Sequence, residues 1–102
     1  MNIISIDSLP SILDNISAKK VYTDSNVEII QIELLPNQAI PVHKNDVSAL
    51  FNIVSGNGVV TIENKTFNVK KGDFLKIEKG LDRAWENGKD SNLTIIVTKL
   101  LS

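Results

Sequence analysis

With 102 residues, 42% of them hydrophobic and 23% charged, the chain has material for one core and lies below the size at which chains split into domains. Its 11 basic and 12 acidic side chains give a formal charge of -1 with no run of Lys or Arg, which excludes the cationic footprint a phosphate backbone demands and sets nucleic acid aside as a partner. There is no cysteine, so a disulfide framework, a thiolate metal site and a thiol nucleophile are excluded together.

The start, Met1-Asn2-Ile3-Ile4-Ser5-Ile6-Asp7, lacks the basic region and long apolar run of a secretory signal. No stretch approaches the roughly 20 apolar residues of a membrane span. The expected location is the cytoplasm, with no membrane partner. A domain of this size buries little more than ~60% of its unfolded surface, so covering an apolar face with a second copy is favourable, and a homodimer is expected.

In chain order, Leu9, Ile12, Leu13 and Ile16 recur at helix spacing, Ser8 is a capping residue and Pro10 fits a first turn. This predicts a short helix in an N-terminal arm over residues 1–20, with a barrel domain over 21–102. From Val27 the period becomes two: Ile30, Ile32 and Leu34 alternate with Gln31 and Glu33, as in a half-buried strand. Further strands are predicted at Ala39–His43, Ala49–Val54, Val59–Glu63, Thr66–Val69, Asp73–Glu78, Arg83–Glu86 and Leu93–Lys99. Between them, Ser55-Gly56-Asn57-Gly58, Glu63-Asn64-Lys65, Lys71-Gly72-Asp73 and Asn87-Gly88-Lys89-Asp90 offer Gly or Asn where a turn needs positive φ. Short strands at even spacing predict an all-β sandwich or barrel.

Over about Val27 to Val97 the chain resembles the small single-domain cupins, the RmlC-like jelly-roll family, which implies a double-stranded β-helix. The family's first motif is a glycine, a His-x-His pair, a glutamate and a closing glycine. In this chain Asn37, His43, Asn45, Ala49 and Gly56 hold those places. Its second motif is glycine, proline, glycine, histidine, asparagine, and the matching residues are Gly72, Glu78, Gly80, Arg83 and Asn87.

Family members that bind a metal hold it inside the barrel with the three histidines and the glutamate. Of those four, only His43 is kept. Ala49 has no donor atom, Asn45 offers a weak amide oxygen, and Arg83 carries a permanent positive charge. At ~4 Å and an effective dielectric near 20, that charge repels a divalent ion by several kcal/mol. No metal or other cofactor is expected.

In the family's register, His43, Asn45, Arg83 and Trp85 point into the barrel, since strand residues two apart share a face. A guanidinium, an imidazole and an amide beside an aromatic wall make a donor-rich pocket for a small polar or anionic molecule. The plainer readings are structural. His43 can be a satisfied strand-end residue, Trp85 a core residue, and Arg83 the partner of a carboxylate such as Glu78 or Asp46. Two further functions stay open. A metal-independent isomerase or epimerase would use His43 as base and need a second titratable group, for which Asp46 and Asp82 are the candidates. A structural or sensing dimer would need no ligand, with the apolar arm of Ile3, Ile4, Ile6, Leu9 and Ile12 against a partner or its own barrel. The absence of a convincing acid-base pair weighs against an enzyme.

Overall fold

The computed structural model describes residues 1–102. Nine antiparallel strands form two facing sheets: β1 (Ser17–Thr23), β2 (Val27–Leu34), β3 (Ala39–His43), β4 (Ser48–Ser55), β5 (Asn57–Ile62), β6 (Lys65–Lys70), β7 (Phe74–Ile77), β8 (Arg83–Asn87) and β9 (Leu93–Leu100). One sheet has the order β1-β2-β9-β4-β7 and the other β3-β8-β5-β6. The all-β architecture expected from the strand spacing is observed, in the double-stranded β-helix form that the family resemblance implies.

The alternation read in the sequence is what buries the core. Along β9, Leu93, Ile95 and Val97 are buried while Thr94, Ile96 and Thr98 are only half so. On β4, Ala49, Phe51 and Ile53 face the same interior. Val60, Val69 and Trp85 close it from the four-stranded sheet, and the Phe51 and Trp85 rings meet across the gap with centroids 5.2 Å apart.

The N-terminal arm corrects the helix expected there. Its only helical feature is a single 3₁₀ turn, Ile6–Ser8. Residues 11–16 bend back onto β1, with the Ile12 amide donating to the Ala18 carbonyl at 2.7 Å. Ser11 accounts for this: its hydroxyl accepts from the Leu13 and Ala18 amides and donates to the Leu13 carbonyl. A short polar side chain that satisfies nearby backbone groups gives them an alternative to the helix ladder. The segment is also too short to hold a helix without tertiary support. β1 begins inside the stretch read as the arm and was not predicted. Its sequence, Ser17-Ala18-Lys19-Lys20-Val21-Tyr22-Thr23, buries only Ala18 fully, and its lysines suit an exposed sheet edge.

Glu28 clamps three strands of the larger sheet. From β2 its carboxylate meets Lys20 of β1 at 3.1 Å and Lys99 of β9 at 3.5 Å. The bond from Lys20, aided by Lys99, holds the carboxyl below the usual glutamate range against the opposing effect of burial. A carboxyl lowered in the folded state contributes stability above the unfolded pKa and loses it as pH falls through the folded value. Glu28→Gln is therefore expected to cost about 0.5–1 kcal/mol at neutral pH, with the gap from the parent closing in acid. Urea denaturation near neutrality and again well below the carboxylate range checks this, and an equal gap in both would show that charge is not the cause.

Turn chemistry explains the motif positions. Gly56, Gly72 and Gly80 have φ of 85°, 93° and 81°, and Asn37, in the family's first glycine place, has φ 67°. Asparagine tolerates the left-handed region better than most residues, so the departure at 37 keeps the backbone. Glu63 and Asn64, at φ 48° and 69°, make the two-residue connection between β5 and β6, where both central residues of a tight hairpin take positive φ.

Candidate functional site

The site is built on β8 and β3. In β8, Arg83 and Trp85 lie two residues apart and are 1% and 2% exposed. Trp85 pairs with Ile40 and Arg83 with His43 across the ladder to β3, and the register shifts between those pairs. Three residues of β3 therefore span what two span in β8. That bulge carries Ile40 and His43 to the same face although they are an odd number apart, the re-aiming of a side chain that bulges accomplish. β3 ends at His43. Asn45 lies in the following loop, where its carbonyl accepts from the Gly80 amide at 2.8 Å.

These elements enclose a cavity of about 230 Å³ within the barrel. His43, Asn45, Arg83 and Trp85, the four residues expected to converge, all line it. Reasoning from the sequence did not bring other parts of the wall to the site, among them Ile12 and Leu13 from the N-terminal segment, Ala18 from β1, and Lys99 from β9. Missing β1 and the bend before it hid the first three. Lys99 sits in a strand whose alternation was clear, and its position at the end of that face was the signal to follow.

Arg83 dominates the electrostatics. Its Nη2 donates to the Glu78 carbonyl at 3.0 Å and its Nε to the Leu81 carbonyl at 3.3 Å. The loop that supplies both carbonyls turns at Gly80, whose positive φ lets it curl around the guanidinium. Nη1 is buried without a partner. No carboxylate pairs with Arg83, which removes the structural reading of an internal ion pair: the Glu78 carboxylate binds Ser48 and Lys76 instead, and Asp46 makes no ion pair or side-chain hydrogen bond. Burial without a counterion pushes the arginine pKa down from its ordinary value. Lys99, the other cation of the wall, is matched by Glu28.

His43 is exposed at the mouth, with Nδ1 3.0 Å from the Pro41 carbonyl oxygen. A carbonyl only accepts, so Nδ1 carries the hydrogen and Nε2 of the neutral ring keeps its lone pair. No aspartate or glutamate lines the cavity. Of the two candidates for an acid-base partner, Asp82 is bound to Lys44 at 2.7 Å, and Asp46 is exposed.

The donor set does not fit a metal ion. Ala49 is fully buried and offers no ligand atom, and the buried, unpaired guanidinium occupies the place of a histidine. No group of three or more His, Cys, Asp or Glu side chains lies close enough to share a cation.

The sequence pattern of the Cupin domain matches residues 30–99. Among solved structures, the polyketide cyclase RemF from Streptomyces resistomycificus superposes with a TM-score of 0.87 at 14% identity, over 100% of this chain and 80% of that one. The cupin domain of Cnp3 from Schizosaccharomyces pombe gives 0.85 at 17% identity, over 96% and 72%. A predicted oxalate decarboxylase from Thermotoga maritima gives 0.83 at 16% identity, over 99% and 100%. No curated protein matches the sequence. The superpositions show a common fold, and at identities this low, across neighbours of varied function, they show the fold alone.

Proposed function

Because the chain belongs to the cupin-domain family while its barrel carries an arginine in place of a metal-ligating histidine, we propose that it binds a small anionic molecule in the barrel without a metal. The observation that carries this is Arg83: a guanidinium 1% exposed, on a cavity wall, with Nη1 unpartnered. Leaving a charged donor buried and unsatisfied costs about 1–3 kcal/mol or more. Native structures keep such a group where a ligand, an ordered water or ion, or a function compensates for it. Two of the five N–H groups of Arg83 are used by backbone carbonyls, and an anion in the cavity is the counterion the chain does not supply.

Asn45 adds an amide donor at the cavity wall. With its Nδ1 hydrogen on the Pro41 carbonyl, the His43 ring turns Nε2 to the mouth as an acceptor suited to a hydroxyl of the bound molecule. The isomerase reading needs a second titratable group beside His43, and the wall supplies none. This favours binding over acid-base chemistry.

The test is thermal denaturation of the purified chain in buffers differing only in a small anion: chloride, phosphate, acetate or benzoate. A ligand that binds the folded state alone raises stability by mass action, by about 2.7 kcal/mol at one hundred times its dissociation constant. At least one anion is expected to raise the midpoint at millimolar concentration. Identical midpoints with every anion would overturn the reading.

A further inference from the structure

We infer that the cavity takes a small monocarboxylic acid with an apolar body, its carboxylate turned to Arg83 and its body covered by Ile12 and Leu13. This rests on the anion-pocket reading and narrows it.

The charge of the site selects a monoanion. Arg83 is the one cation of the wall without a carboxylate partner, since Lys99 is held by Glu28 at 3.5 Å. A dianion such as phosphate would bring a second charge into a cavity that has nothing to meet it, and an uncompensated buried charge is strongly disfavoured. A planar carboxylate also matches the guanidinium fork, which an ammonium would not distinguish from other anions.

The remaining wall selects the body. Nine of the thirteen lining residues are hydrophobic, and Trp85 and Phe51, their rings tilted 37° to each other, give it an aromatic corner. The volume of about 230 Å³ falls below the ~300–1,000 Å³ of pockets for drug-sized ligands, so the acid is small.

Ile12 and Leu13 supply the cover. They line the cavity and yet are 51% and 47% exposed, so they stand half over the barrel and half in water. Ser11 and the Ile12–Ala18 backbone bond hold them there. An apolar ligand beneath them would remove from water surface that the protein alone leaves wet.

Trp85 is the only tryptophan and belongs to the wall, so its fluorescence reports occupancy. The full chain is titrated with hexanoate, acetate, hexanamide and phosphate, with calorimetry as an independent readout. Hexanoate is expected to bind at least about tenfold more tightly than acetate, since each buried methylene adds ~0.8 kcal/mol, while hexanamide and phosphate bind no better than acetate. Leu13→Ser, at a position 47% exposed, is expected to weaken hexanoate about fivefold and leave acetate unchanged. If acetate or phosphate binds as tightly as hexanoate, the apolar-body inference is overturned and the anion pocket stands. Tight binding of hexanamide would remove the carboxylate from the recognition. If none of the anions binds, both readings fall. Equal weakening of both acids by Leu13→Ser, or of neither, would overturn the covering role.

Discussion

Arg83→Met is expected to make the ligand-free protein more stable, by about 1–3 kcal/mol, while abolishing its response to anions. Both effects follow from the same burial. Replacing buried charged groups with well-packed apolar side chains of similar volume is often neutral or stabilising by ~1–4 kcal/mol even where the charges are paired, and here the charge has no partner. Against the gain stand two bonds to the Glu78 and Leu81 carbonyls. They lie in a loop with Glu78 exposed and Leu81 half-buried, so water reaches at least the first. For a domain of this length the net change moves the midpoint upward by roughly 4–8 °C per kcal/mol. The substituted protein should then melt at one temperature whether or not an anion is present. Arg83→Lys is the companion variant: it keeps a charge and loses the fork, and is expected to bind anions more weakly without the gain in stability. A fall in the midpoint of Arg83→Met, with the anion response intact, would assign Arg83 to holding the 78–81 loop and nothing more.

Gly56→Ala is expected to be the most damaging single-methyl change in the chain, costing about 3 kcal/mol. A Cβ at this position would land on the Asn92 carbonyl oxygen and press on its carbon and on the Leu93 Cα, all backbone atoms. The φ of 85° adds its own penalty for an L residue, ~1–2 kcal/mol, and the overlap adds overpacking strain of ~1–3 kcal/mol. Gly72 shares the positive φ, at 93°, but nothing lies within 4 Å of its Cβ position. Gly72→Ala should therefore cost about 1 kcal/mol through the backbone alone. Chemical denaturation of the pair separates steric from conformational cost, and equal losses would show that the contact with Asn92 relaxes freely.

Those two glycines mark how far the sequence could be read. Alternation of side chains is a local property, and it placed β2 and β3 at their observed limits and the other six predicted strands within two residues at either end. Positive-φ turns are local as well, so Gly56, Gly72 and Gly80 were legible from residue type and spacing. The arm was not, because Leu9, Ile12, Leu13 and Ile16 have helical spacing while the backbone bonds that decide the matter run from Ile12 to Ala18 and through Ser11. Convergence of His43, Asn45, Arg83 and Trp85 was implied by the family's register, in which strand residues two apart share a face. That step holds along β8, whereas β3 ends at His43 and Asn45 reaches the cavity from the loop that follows. The missing counterion of Arg83 was beyond reach, since the absence of a partner depends on every strand packed around it.

The register shift in β3 also says which residue the barrel could do without. Between Ile40 and His43 stand Pro41 and Val42 where a regular ladder has room for one residue, and Val42 is 63% exposed. Shortening the strand by Val42 would bring His43 into the next inward slot of an unbroken ladder, still opposite Arg83. The site would keep its members, and the edge would lose its local twist and become straighter and more regularly bonded. An irregularity of this kind protects an outer strand from pairing with a neighbouring molecule. The extra residue thus leaves β3 an irregular outer strand, a form that discourages pairing without changing which residues face Arg83.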